Sequence, residues 1–240
     1  MRVERTVVER EIRLSDFVEN ITAMEPLHTG VLPANCCYYG QAKRAGRSER
    51  LFVILLPDHM QALAYKPTRL ERISTRDRNR VHSLEIALPP TLWFFSFREQ
   101  SLNRVYARTF TGDITEQGED TPLFSTHLPN FNGPVNTGNM CVGSIGVDMN
   151  LPFSKRLGLM MREVLGSTWN DDLDTHFAGT GVTDMLEWHE NSKKDKNFWK
   201  KMKFTRAPGF TRGGRPRPEG QGGETFGELC RFLLGDEEEV

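Results

Sequence analysis

An α+β fold is what this sequence predicts, on three observations. Apolar runs rich in aromatic and β-branched residues crowd residues 50 to 110, and such residues suit a pleated surface. A Gly/Asn-rich loop with a single cysteine, Cys141, comes next. Past Leu151 the apolar spacing lengthens from about two residues toward about 3.6, as it does when strands give way to helices. The expected order is an antiparallel β meander, a flap around Cys141, and C-terminal helices.

Residues 3 to 12, VERTVVEREI, alternate well enough for a strand, and Ser15-Asp16 offers a helix start. Residues 1–49 read as an N-terminal extension packing on the core. Arg50 to Pro57 is an apolar run of strand length, and Ala62 to Tyr65 and Glu71 to Ser74 are weaker strands around Lys66-Pro67. The strongest β signal is HSLEIALPPTLWFFSF, followed by Asn103 to Phe110, so residues 51 to 110 read as one meander. Gly112 to Asp120 is a polar, acidic loop.

A helix is expected along the stripe Leu151, Phe153, Leu157, Leu159, Met160 and Val164, stopping at Gly166. A second should run from Val182 to Lys203, with Met185, Leu186, Trp188, Phe198, Trp199 and Met202 among lysines that face solvent. Residues 50–204 thus form the main domain. Residues 205–223, rich in Arg, Gly and Pro, read as a flexible basic linker, and residues 224–240 as a short amphipathic segment with an acidic tail.

With 240 residues the chain can bury one sizeable core. A formal charge of -1 gives no global attraction to nucleic acid or anionic membrane, so nucleic acid is not an expected partner. No apolar run is long enough to span a bilayer and the N-terminus lacks a signal-peptide core, which together predict a soluble, cytoplasmic protein.

Four cysteines, with Cys36 and Cys37 adjacent and Cys141 and Cys230 far off, suit reduced thiols better than a disulfide framework. They also lack the spacing of a zinc site. Arg212 to Arg215 and Gly220 to Gly223 lack the strand, loop and helix context of a phosphate cradle, so no cofactor is expected. Trp93-Phe94-Phe95 reads as core.

The chemistry concentrates at PLFSTHLPNFNGPVNTGNMCVG, residues 122 to 143, where Cys141 stands eleven positions after Asn130. A thiolate is a strong nucleophile, and the thioester it forms stays reactive toward amines. Asn130 offers an amide donor for an oxyanion, a contribution of about 3 kcal/mol where such a donor is well aimed. Pro129 stiffens the turn, and Gly133, Gly138 and Gly143 permit close backbone approach. His176, after Asp171, Asp172 and Asp174, could help deprotonate an attacking amine. A plainer reading stays open: Cys141 as a small buried apolar residue, and the aspartates as a helix start beside a packed Trp169.

In its succession of elements and in Pro122-Leu123-Phe124, Leu128-Pro129-Asn130, Gly138-Asn139-Met140-Cys141-Val142-Gly143 and Trp169 with Asp174-Thr175-His176, the chain resembles prokaryotic ubiquitin-conjugating-enzyme-like proteins, among them the PRTRC system protein B group. The resemblance covers roughly residues 50 to 180. It implies a ubiquitin-conjugating-like fold and an acyl transferase that carries a ubiquitin-like modifier as a thioester on Cys141. It also implies that Asn130 stabilises the oxyanion, that His127 braces the turn, and that His176 assists the acceptor. The partners implied are an adenylating activating enzyme, the modifier and a metal-dependent deconjugating peptidase. Family members carry histidine directly before Pro-Asn, where this chain has Leu128 and the histidine stands at His127; the interval from Asn130 to Cys141 is also longer than usual. Two alternatives remain: a non-catalytic scaffold with a buried Cys141, and a Cys-His hydrolase with His127 or His176 as base.

Overall fold

The computed structural model describes residues 35–44, 47–67, 80–99, 101–131, 138–141, 150–151, 153–170, 177, 179–211, 215, 217 and 222–235. The strand expected at 3–12, the helix start at Ser15-Asp16 and the weak strand at Glu71 to Ser74 lie outside them. The chain is α+β, with mostly antiparallel sheet and a few helices. Its strands are β1 (Cys36–Arg44), β2 (Arg47–Leu56), β3 (His59–Lys66), β4 (His82–Leu88), β5 (Thr91–Arg98), β6 (Ser101–Phe110), β7 (Leu123–Ser125) and β8 (Thr168–Asn170). The α-helices are α1 (Ile114–Gln117), α2 (Phe153–Gly166), α3 (Met185–Lys194) and α4 (Phe226–Leu234).

The strands do not form one meander. β2 pairs with β5, Ile54 opposite Trp93, in a five-stranded antiparallel sheet ordered β1-β2-β5-β6-β7. The β3–β4 hairpin leaves that sheet and joins β8 in a second one, ordered β4-β3-β8, where β3 and β8 run parallel. Pro57 on one side and Pro89-Pro90 on the other interrupt the backbone donors, so neither strand can continue straight into its successor. The Thr91 and Thr109 hydroxyls donate to the Pro89 and Pro90 carbonyls, at 2.8 and 3.0 Å, and fix that corner.

Alternation along β2, β5 and β6 sends side chains into two cores. Phe52, Ile54, Trp93, Phe95 and Val105 face the second sheet together with α2 and α3. Leu51, Val53, Leu92, Phe94 and Tyr106 face Ala207, Phe210 and α4. Burial of both faces explains why LFVILL and LWFFSF read as unbroken apolar runs.

Several expectations need correction. Residues 36–44, assigned to an extension, are the edge strand β1 of the main sheet. The acidic loop contains α1 and a 3₁₀ turn at Gly118–Asp120. The long helix over 182–203 is instead α3 followed by a 3₁₀ turn at Phe198–Lys201, because the Asp195 carboxylate accepts the Asn197 N–H at 2.9 Å and diverts the backbone.

The supposed linker packs over part of its length. The Ala207 N–H donates to Leu123 O at 3.0 Å, and Ala207 and Phe210 are buried. α4 begins in a capping box, Thr225 with Glu228, and ends at Gly235 with φ 74°. It lies so close over β1 that a Cβ on Gly40 would stand 2.6 Å from Leu234 Cδ1.

The outer edge of β4 is covered by side chains of α3. The Ser192 hydroxyl accepts the Ala87 N–H at 2.9 Å and the Trp188 indole donates to the Ala87 carbonyl at 3.2 Å. His189 Nδ1 lies 2.9 Å from Glu85 N and 2.8 Å from Glu85 O, and serves one of the two according to its tautomer. Edge groups satisfied in this way cannot recruit a foreign strand. Ser192→Ala should strand the buried Ala87 N–H and cost about 1–3 kcal/mol of unfolding free energy, read by urea denaturation.

Candidate functional site

Cys141 follows a flap whose two legs are sunk in the larger core. Phe131, on the entering leg, packs 5.9 Å from Trp93 and 6.2 Å from Trp169, ring centre to centre. Met140, on the returning leg, is buried in the same cluster, and Phe131 and Met140 form an isolated antiparallel bridge. Burying a phenylalanine contributes roughly 1.5–3 kcal/mol, so both legs are anchored by more than their backbone bonds.

The returning leg also extends the edge of β6. The Met140 N–H donates to Val105 O at 2.8 Å, and the Val105 N–H donates to Asn139 Oδ1 at 3.3 Å. Alternation then turns Met140 inward and Cys141 outward. Cys141 is exposed, and its N–H donates to Asn130 O at 2.8 Å. The sulfur therefore sits on a fixed backbone at the surface, which answers the buried-cysteine expectation of the scaffold reading.

The Asn130 side chain is engaged with β8. Its backbone is left-handed, φ 62°, a conformation asparagine tolerates better than most residues. Its Oδ1 accepts the Asn170 N–H at 2.8 Å, its Nδ2 contacts Thr168 O at 3.4 Å, and its own N–H donates to Asn170 O at 3.2 Å. A buried amide must satisfy its polar atoms, and here β8 satisfies them. Asn130 is thus a positioning residue: its side chain holds β8 while its carbonyl holds Cys141.

His127, also left-handed at φ 54°, is buried; its Nε2 accepts the Thr205 N–H at 3.4 Å and its ring packs 6.1 Å from Phe204. This is a brace between the turn and the 204–205 segment. Among the described residues no imidazole reaches Cys141 Sγ, so His127 is not set as the base of a Cys-His hydrolase. His176 and Asp171, Asp172 and Asp174 lie outside the described residues, as do Gly133 and Gly143.

The other thiols are held in their protonated form. Burial pushes Cys36 up, and burial with the neighbouring Cys36 pushes Cys37 up to about 11. Cys230, on the buried face of α4, is pushed up chiefly by burial. Among the described residues no group of three or more His, Cys, Asp or Glu side chains is arranged to hold a metal ion. No helix there is long and apolar enough to cross a membrane. An open cleft of about 640 Å³ lies elsewhere, between Gly179–Thr183 and Lys201 with Lys203, and contains neither Cys141 nor Asn130.

Two residues near the flap went unnoticed in the sequence, Arg108 and Glu224. The signal for the first was a second arginine in phase with Arg104 and Tyr106, so that one face of β6 interleaves arginine with aromatic residues. The second left no local signal. No protein-family model matches the chain, and comparisons with curated proteins and with solved structures find no match.

Two measurements test this geometry. At pH 8 a thiol with a pKa near 11 is only about 0.1 % thiolate, so iodoacetamide should modify Cys141 ahead of Cys37, Cys36 and Cys230 in the native protein. Peptide mapping reads the order, which denaturant should abolish. Asn130→Gly keeps the left-handed backbone and removes the amide, whereas Asn130→Ala loses both advantages. Both variants should unfold more easily, by about 1–3 kcal/mol, with Ala the worse; a purely catalytic amide would leave the Gly variant's melt unchanged.

Proposed function

We propose that this protein is an acyl carrier of the ubiquitin-conjugating-like class, holding the C-terminal glycine of a ubiquitin-like modifier as a thioester on Cys141 and passing it to an amine or hydroxyl. The observation that carries the reading is one exposed cysteine on an anchored flap, its backbone bonded to the Asn130 turn. The order of mainly antiparallel sheet, cysteine flap and helices supports the same fold class. The scaffold alternative called for a buried sulfur; of the two bases open to the hydrolase alternative, His127 faces the Thr205 N–H and His176 lies outside the described residues.

In the scheme, the Cys141 thiolate attacks the thioester carbonyl on an activating enzyme, and that enzyme's thiolate leaves. The acceptor then attacks the new thioester, Cys141 departs as thiolate, and the acceptor's proton goes to solvent or to a base, the role the resemblance implies for His176. Adenylation belongs to the activating enzyme and removal of the modifier to a metal-dependent peptidase, so this chain needs neither nucleotide nor metal. Asn130 and His127 act by holding the loop.

A diglycine benzyl thioester is a minimal donor. Intact mass and peptide mapping of the native protein should place the diglycyl group on Cys141, hydroxylamine should remove it, and free lysine should speed its loss. Cys141→Ala should take up none. Labelling that persists in that variant, or wild-type protein that stays unlabelled, would refute the carrier reading.

A further inference from the structure

A buried ion pair stands behind the flap. Arg108 Nε, on β6, meets Glu224 Oε2, in the segment that leads into α4, at 2.6 Å, with the side chains 3 % and 0 % exposed. Arg108 Nη1 donates to Ala107 O at 3.1 Å and reaches Gly138 O at 3.5 Å, and its guanidinium carbon lies 5.3 Å from the centre of the Tyr106 ring. Gly138 has φ 66°, and a Cβ there would stand 2.7 Å from the same Nη1. Only glycine lets the flap come this close to the guanidinium.

Glu224 is itself held at its backbone. Its N–H donates to Ala207 O at 2.8 Å, and its carbonyl accepts the Leu123 N–H at 3.0 Å. Burial pushes its carboxyl above the usual range against the pull of Arg108, and Oε1 has no partner among the described residues. A pair desolvated to this degree is an inefficient source of stability, because well-packed apolar residues in its place are often as good or better. Its consequence is positional: a guanidinium pinned at Nε by a carboxylate presents Nη1 in one direction, and that direction is Gly138.

We propose that Arg108, oriented by Glu224, is a positioning residue for the cysteine flap: it fixes Gly138, three residues before Cys141, and so couples the reactivity of Cys141 to the segment that carries α4. The inference deepens the carrier reading, since it concerns the same cysteine, but its test requires no acyl transfer.

The full-length protein is compared with Arg108→Met/Glu224→Leu, which replaces the pair by apolar side chains, and with Arg108→Lys, which keeps the charge beside Glu224 but lacks the second donor arm. Three readouts are taken: thermal melting, site-resolved alkylation of Cys141 by iodoacetamide, and hydrogen exchange of the peptide holding Met140 and Cys141. Both variants should melt near the wild type, change the Cys141 alkylation rate by about threefold or more, and exchange faster at the flap. If the double variant fails to fold, Arg108→Lys decides. A folded variant whose alkylation and exchange equal the wild type overturns the proposal. Failure of diglycine labelling in the wild type, with Arg108→Lys still altering alkylation, would sink the carrier reading and leave this one standing.

Discussion

Burial of both faces of β2 and β5 is the constraint from which the rest of the architecture follows. A sheet apolar on two sides needs a cover on each, and the chain supplies them from different parts of the sequence. The β3–β4 hairpin, β8, α2 and α3 cover one side, while the 205–210 segment and α4 cover the other. This is why the Gly/Pro/Arg stretch cannot remain a free linker: Ala207 and Phe210 are needed against Leu123 and Tyr106, and Phe210 stacks on Phe232 of α4 with ring centres 3.9 Å apart. On the side away from β1, the sheet offers the edge of β6 for further pairing. β7 occupies its distal half and the returning leg of the flap occupies residues 105–106.

The cysteine's placement is a consequence of that edge. Once Met140 bonds to Val105 and inserts into the core, alternation sends Cys141 out, so exposure of the sulfur is set by strand phase. Asn130 closes the arrangement, with Cys141 on its carbonyl and Asn170 on its side chain, and thereby ties the flap to the second sheet. One left-handed asparagine thus joins both sheets to the site. The other three cysteines lie elsewhere, on β1 and α4, and partial or full desolvation pushes each of their thiols up.

Much of this was legible locally. The runs in β2, β5 and β6 and the stripe of α2 are strong periodic signals, and the loop around Cys141 stood out by composition. Thr225 and Glu228 also carried the spacing of a capping box, which is how α4 could have been extended beyond one or two turns. What was not legible is the choice of partner. β4 is as strong a strand in sequence as β6, yet it and the weaker β3 pair away from the main sheet because prolines at 57, 89 and 90 cut the connection and the second face needs a cover. Arg108 and Glu224 lie 116 positions apart, and nothing local in either segment marks them as a pair. The aim of Asn130 was likewise invisible, since it depends on β8 arriving beside the turn.

The position of Asn130 bears on how an acyl carrier of this kind would work. Its Oδ1 and one Nδ2 contact face β8, and the Cys141 N–H is bonded to Asn130 O. An oxyanion donor of the usual strength would supply about 3 kcal/mol, and the contacts Asn130 makes with β8 serve the flap's anchorage first. Transfer from one thioester to another is less dependent on such a donor than amide cleavage, because the acyl group arrives already activated and the leaving group is a thiolate. What it does require is a sulfur held in an attackable place, the term that proximity and orientation supply. Met140, Asn130 and the guanidinium behind Gly138 all bear on that placement, so a carrier built this way would draw on positioning more than on an oxyanion donor.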